Sequence, residues 1–90
     1  MSKGRQKLNA SEVAQQQLEA LAQHGDAELY GAVLETCTLI LTSPGRAQAM
    51  SSAIITAHGT VLRLPVLGHP PYKVFWTSTG PCIEAVFPHP

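Results

Sequence analysis

Lys73-Val74-Phe75-Trp76-Thr77-Ser78-Thr79-Gly80-Pro81-Cys82-Ile83-Glu84-Ala85-Val86-Phe87 holds the only tryptophan of the chain, and its reading decides the fold. Apolar and polar residues alternate on both sides of Gly80-Pro81, the pattern of two half-buried strands joined by a tight turn. Gly80 suits the first position of a type II′ turn, and Pro81 has a compatible φ at the second. A two-residue loop there pairs Thr79 with Cys82, Trp76 with Ala85 and Phe75 with Val86. One face then carries Val74, Trp76, Ile83, Ala85 and Phe87 and reads as core. The other carries Lys73, Phe75, Thr77, Cys82, Glu84 and Val86. It is polar except for the cross-strand pair Phe75 and Val86, which is placed to lie under a partner.

A second hairpin precedes it. Ile54 to Thr56 and Thr60 to Leu64 flank His58-Gly59, two residues that tolerate positive φ. That turn opposes Ile55 to Leu62 and Ala53 to Leu64. Pro65 ends the second strand or places it at an edge, and no helix crosses Gly68-His69-Pro70-Pro71.

Upstream of the hairpins, Leu8 to Gly25 reads as a helix. Asn9 is the expected N-cap, Glu12 closes a capping box on it, and Leu8 with Val13 has the spacing of a hydrophobic staple. Ala14, Leu18, Leu21 and Ala22 form a narrow apolar stripe, and Gly25 stops the helix. Asp26 is placed to cap a short second helix through Tyr30. The β-branched and strand-prone run that includes Thr36, Thr38, Leu39, Ile40 and Thr42 then predicts a strand over 33–42. Ser43-Pro44-Gly45-Arg46 fits either a type II turn or a helix start with Pro44 at its first position.

These elements predict an α+β fold, with one helix at about 10–24 packed on an antiparallel, mostly meandering sheet. The strands are expected near 33–42, 53–57, 60–66, 72–79 and 82–87. Residues 8–90 form a single domain, and residues 1–7 a flexible basic arm.

Composition narrows the function. Net charge is +0 and 44% of the 90 residues are apolar, which excludes a strongly basic or disordered protein. Charged residues make up only 13%, about half the usual share for a soluble domain. Beyond residue 30 the charges are confined to Glu35, Arg46, Arg63, Lys73 and Glu84. A surface so poor in charge is of the kind that another chain covers. No apolar run reaches a membrane-spanning length, and no secretory leader pattern follows Met1–Lys7. Cys37 and Cys82 stand far apart without a CxxC pair, so a cytoplasmic protein with two reduced thiols is expected.

Motifs for chemistry are missing. His24, His58, His69 and His89 sit at turns, a helix end or the tail, without metal-site spacing. No phosphate loop is present, and no carboxylate pair has the spacing of an acid–base couple. No metal or other cofactor is expected. The sequence therefore reads as a non-enzymatic protein-interaction module, a small stoichiometric inhibitor or adaptor of the phage-accessory kind. It is expected to homodimerise and to bind through Phe75, Val86, Lys73, Glu84 and Arg63. A nucleic-acid-binding regulator with a winged-helix-like layout is the alternative, using Lys3, Arg5, Lys7 and Arg46 with Arg63. A third class is a small endoribonuclease toxin, whose C-terminal hairpin shares the alternating pattern of 71–87. The linear sequence places no cluster of cations there for phosphoryl transfer.

Overall fold

The computed structural model describes residues 9–90, so Lys3, Arg5 and Lys7 of the expected basic arm, and Leu8 of the staple, lie outside the described residues. Three helices, α1 (Glu12–His24), α2 (Ala27–Thr42) and α3 (Pro44–Ala49), precede four strands, β1 (Ser52–Thr56), β2 (Gly59–Pro65), β3 (Tyr72–Thr77) and β4 (Cys82–Pro88). The strands form one antiparallel meander in the order β1-β2-β3-β4, and the fold is α+β as expected.

Helix α1 begins two residues later than its local signals suggest. Ser11, not Asn9, is the N-cap: its hydroxyl accepts the Ala14 N–H at 3.0 Å. Asn9 and Ala10 instead run beside β4. The Asn9 carbonyl accepts from Ile83 N, and Ser11 N donates to Ile83 O. Recruiting 9–11 to a strand edge satisfies more backbone groups than one extra helical turn would, so the capping box on Asn9 does not form. Val13 is 56% exposed. Gly25 ends the helix as expected but for a steric reason. Its φ is −92°, and a Cβ there would sit 2.7 Å from the Leu21 carbonyl oxygen.

The strand expected over 33–42 is instead the second half of α2. Asp26 caps this helix through a 2.8 Å bond from Glu28 N. Val33, Cys37 and Ile40 follow one another at helical spacing and are fully buried. Thr36 and Thr42 donate their hydroxyls to the carbonyls four residues back, Ala32 at 2.9 Å and Thr38 at 2.7 Å. With the hydroxyls satisfied inside the helix, a continuous buried stripe overrides β propensity. The ambiguous segment after Thr42 is helical, with Pro44 in the first turn of α3 and Ala47 buried.

Both hairpins form, each with a corrected register. In the first, the loop is Ala57-His58: Thr56 pairs with Gly59 and Ile55 with Thr60. Gly59 takes the positive φ, +123°, that no other residue type in this chain adopts among the described residues. Each partner moves by two residues, so the faces of β1 and β2 are unchanged.

In the second hairpin Ser78–Pro81 form a four-residue connection, and Thr77 pairs with Cys82. Trp76 pairs with Ile83, whereas Phe75 pairs with Ala85; Glu84 is the extra residue of a bulge. Everything after Glu84 is thereby turned over relative to the expected register. Val86 pairs with Val74 and is buried in the core, and Phe87 moves to the other face of the sheet.

The core lies between the helices and one face of the sheet. Trp76, Ile40, Ile83, Val33, Val74 and Cys37 are its largest fully buried side chains. The Trp76 indole N–H donates to Ser51 Oγ at 3.1 Å, so its burial leaves no orphan donor. Among the described residues no helix is long and apolar enough to cross a membrane.

Candidate functional site

All three helices pack on the Trp76 side of the sheet, and among the described residues the opposite face has no second layer. Antiparallel alternation puts Phe75 and Lys73 of β3, Arg63 of β2, and Ala85 and Phe87 of β4 on that open face. Arg63 is directly across from Phe75, and Lys73 across from Phe87.

Phe75 and Phe87 stack with ring centroids 4.7 Å apart and planes 11° from parallel. His89, just beyond β4, stands edge-on to both, 5.3 Å from Phe75 and 6.1 Å from Phe87. Three contacts fasten His89 there. Its N–H donates to Pro71 O at 2.9 Å, its carbonyl accepts from Lys73 Nζ at 2.7 Å, and Arg63 Nη1 meets its Nδ1 at 3.2 Å. A guanidinium only donates, so this contact is a hydrogen bond when Nδ1 carries no proton.

The cluster therefore joins two permanent cations, an imidazole and two aromatic rings. The bonds these cations make go to a ring nitrogen and to carbonyl oxygens rather than to carboxylates. None of these bonds neutralises the charge of either side chain. Aromatic faces beside it offer contact to a flat or apolar group.

The expected partner-binding residues divide accordingly. Arg63 and Lys73 meet at His89. Phe75 lies beneath Phe87 and His89 at 8% exposure, while Phe87 above it is 37% exposed. Val86 is 3% exposed and belongs to the core, a correction that follows from the bulge at Glu84. Phe87 occupies the outward position expected for Val86. Glu84 accepts from Thr77 Oγ1 at 3.2 Å near the Cys82 end of the sheet. Arg46 is exposed on α3, in the helical layer, so the structure does not bring it to Arg63. His89 was not singled out in the sequence as part of a site, because Pro88 before it lacks an N–H donor and cannot continue a ladder. No local signal reveals that Pro71 and Lys73 would hold it.

The thiols are poorly suited to nucleophilic work. Both cysteines are free. Burial pushes Cys37 up to about 12. Cys82 is raised too, by desolvation first and then by the charge and hydrogen bond of Glu84. Among the described residues no three His, Cys, Asp or Glu side chains come together as a metal site. Hollows among the described residues flank the core. One, of about 170 Å³, is lined by Ala32, Glu35, Leu39, Met50 and Leu67. Another opens between Leu21, His24, Tyr72 and Phe87. Neither gathers an acid–base pair.

No known protein family matches the sequence, and no curated protein or solved structure matches the chain.

Proposed function

We propose that the chain is a non-enzymatic protein-interaction module whose open sheet face receives an acidic, partly apolar segment of another protein. The arrangement of Arg63, Lys73 and His89 around the Phe75–Phe87 stack carries this reading. A carboxylate entering beside Phe87 gains charge-assisted hydrogen bonds from donors already held in place, while an apolar neighbour covers the exposed ring. The low charge of the rest of the sheet lets a partner spread over it without burying unpaired ions. Such a protein acts as a small stoichiometric inhibitor or adaptor. A cytoplasmic setting, where thiols stay reduced, suits its two free cysteines.

Affinity purification from the native host, with wild type beside Arg63→Ala and Phe87→Ser, tests the reading. One partner should be retained in stoichiometric amount by wild type. Each substitution should cost about 1–3 kcal/mol, a five- to 150-fold loss, because each removes a central contact. Equal capture by wild type and both variants would overturn it.

The same convergence of cations favours a second reading, in which the face binds RNA. Bases would stack on Phe87 and phosphates would pair with Arg63 and Lys73, the arrangement that a small endoribonuclease toxin requires. Binding of single-stranded RNA by two cations should fall with salt at a log–log slope of roughly −1.4. Salt-sensitive binding with cleavage of the RNA favours this reading over the first. Stoichiometric capture of a protein, with no cleavage of RNA, favours the first.

A further inference from the structure

The two edges of the sheet are finished differently. Along β4 the outward backbone groups are taken. Ile83 exchanges bonds with Asn9 and Ser11, the Glu84 carbonyl accepts from the Ser11 hydroxyl at 2.6 Å, and Val86 N donates to the Gln17 side chain at 2.6 Å. Among the described residues strand β1, at the other edge, pairs only with β2. The devices that protect edge strands are absent from it. Ser52–Thr56 contains no proline, no bulge and no charge, and residues 47–62 include no Asp, Glu, Lys or Arg. Ile55 on this strand is 86% exposed.

The ladder fixes which groups are free. Thr56 and Gly59 close a two-residue turn and direct their backbone groups at each other. Alternation then aims Ser52 and Ile54 at β2, and leaves the N–H and C=O of Ala53 and Ile55 pointing away from the sheet.

We propose that β1 pairs antiparallel with β1 of a second copy of this chain, about a two-fold axis at Ile54. The sequence Ser52-Ala53-Ile54-Ile55-Thr56 complements itself in that register. Ser52 lies opposite Thr56, hydroxyl to hydroxyl, and Ala53 lies opposite Ile55, small to large. Ala53 and Ile55 are the two residues with free backbone groups, so they exchange both hydrogen bonds in each half of the dimer. Ile54 faces its own copy as a non-hydrogen-bonded pair, with Cα atoms about 4.5 Å apart. A charged edge would oppose like charges on self-pairing, and this one has none. The product is a continuous eight-stranded sheet with both helical layers on one side and both open faces on the other. A contact of this size belongs to the weak, concentration-dependent class. The inference is independent of what the open face binds.

Sedimentation of the full chain from micromolar to near-millimolar concentration tests it. The expected mass rises from 9.6 kDa toward twice that value. Ala53→Pro removes an N–H that β2 does not use, and Ile55→Lys alters a side chain already in solvent. Both should keep the wild-type melting curve and stay monomeric, and Ile55→Lys preserves the test where proline disturbs the strand. Register is read by oxidation in a Cys82→Ser background. Ile54→Cys should cross-link to its own copy, and Ile55→Cys, which faces Ala53, should not. A wild-type monomer at every concentration would overturn the proposal. So would folded variants that dimerise like wild type, or equal cross-linking at positions 54 and 55.

Discussion

Replacing Ser11 by alanine tests the junction between α1 and the sheet. The hydroxyl has two duties. It accepts the Ala14 N–H at 3.0 Å as the helix N-cap, and it donates to the Glu84 carbonyl at 2.6 Å across the β4 edge. Loss of an N-cap costs about 0.5–2 kcal/mol, with typical values near 1. Loss of one hydrogen bond to a half-buried carbonyl costs about 0.5–1.5 kcal/mol more. The sum is about 2 kcal/mol, and at roughly 4–8 °C per kcal/mol for a domain of this size the melting midpoint should fall by about 8–16 °C. Ser11→Thr keeps both bonds and should stay close to wild type. Asn9→Ala leaves the cap intact, so its effect should be the smaller. Thermal unfolding followed by circular dichroism gives all three values. A loss below about 0.5 kcal/mol for Ser11→Ala, or a larger loss for Asn9→Ala, would return the cap to Asn9 and refute the edge recruitment of residues 9–11.

Three further outcomes are expected. The bulge at Glu84 makes Val86→Ala costly, roughly 2 kcal/mol, while Phe87→Ala should cost about 1 kcal/mol or less; the unbulged register reverses that order, and denaturant unfolding separates them. Cys37 ionises near 9.0 when unfolded but is pushed up to about 12 by burial. The folded state thus holds its proton more tightly, and stability present below pH 9.0 is lost as pH rises toward 12. Wild type should lose more melting temperature over that window than Cys37→Ala does, and equal losses would count against burial of the thiol. Trp76, fully buried, should emit in the blue and resist iodide quenching, whereas emission like that of free indole would exclude its place in the core.

Much of the sheet was legible because alternation is a local signal. The β1–β2 and β3–β4 hairpins and the faces of the first follow from the order of apolar residues and the positions of glycine. Asp26 also marked a helix start correctly, since capping chemistry acts within one turn, whereas Ser43-Pro44 fitted a turn as well as the helix that forms. What escaped depended on distant partners. Thr36 and Thr42 read as strand formers until their hydroxyls are seen to bond back along a helix whose stripe is already buried. The extra residue at Glu84 leaves an alternating pattern unchanged on paper, yet it exchanges the fates of Val86 and Phe87. The same applies to the candidate site. Arg63, Lys73 and Phe75 were identifiable as an unusual polar and aromatic face, but His89 joins them only through a tail pinned from 16 and 18 residues upstream.

The stitching of β4 to the start of α1 also bears on how the chain is made. Ser11 meets Glu84 across 73 residues, and Gln17 meets Val86 across 69. On the ribosome, α1 emerges long before the strand that completes its cap. At about 5–20 residues per second it waits several seconds for that strand. Until then it is a single 13-residue helix, near the length at which isolated helices are marginal in water. Joining the two ends closes a loop of some 70 residues, whose entropy cost of about 4 kcal/mol is met only when the sheet is nearly complete. Strand β4 follows β1–β3 off the ribosome and is the one that fixes α1, so folding of these elements is a late, concerted event.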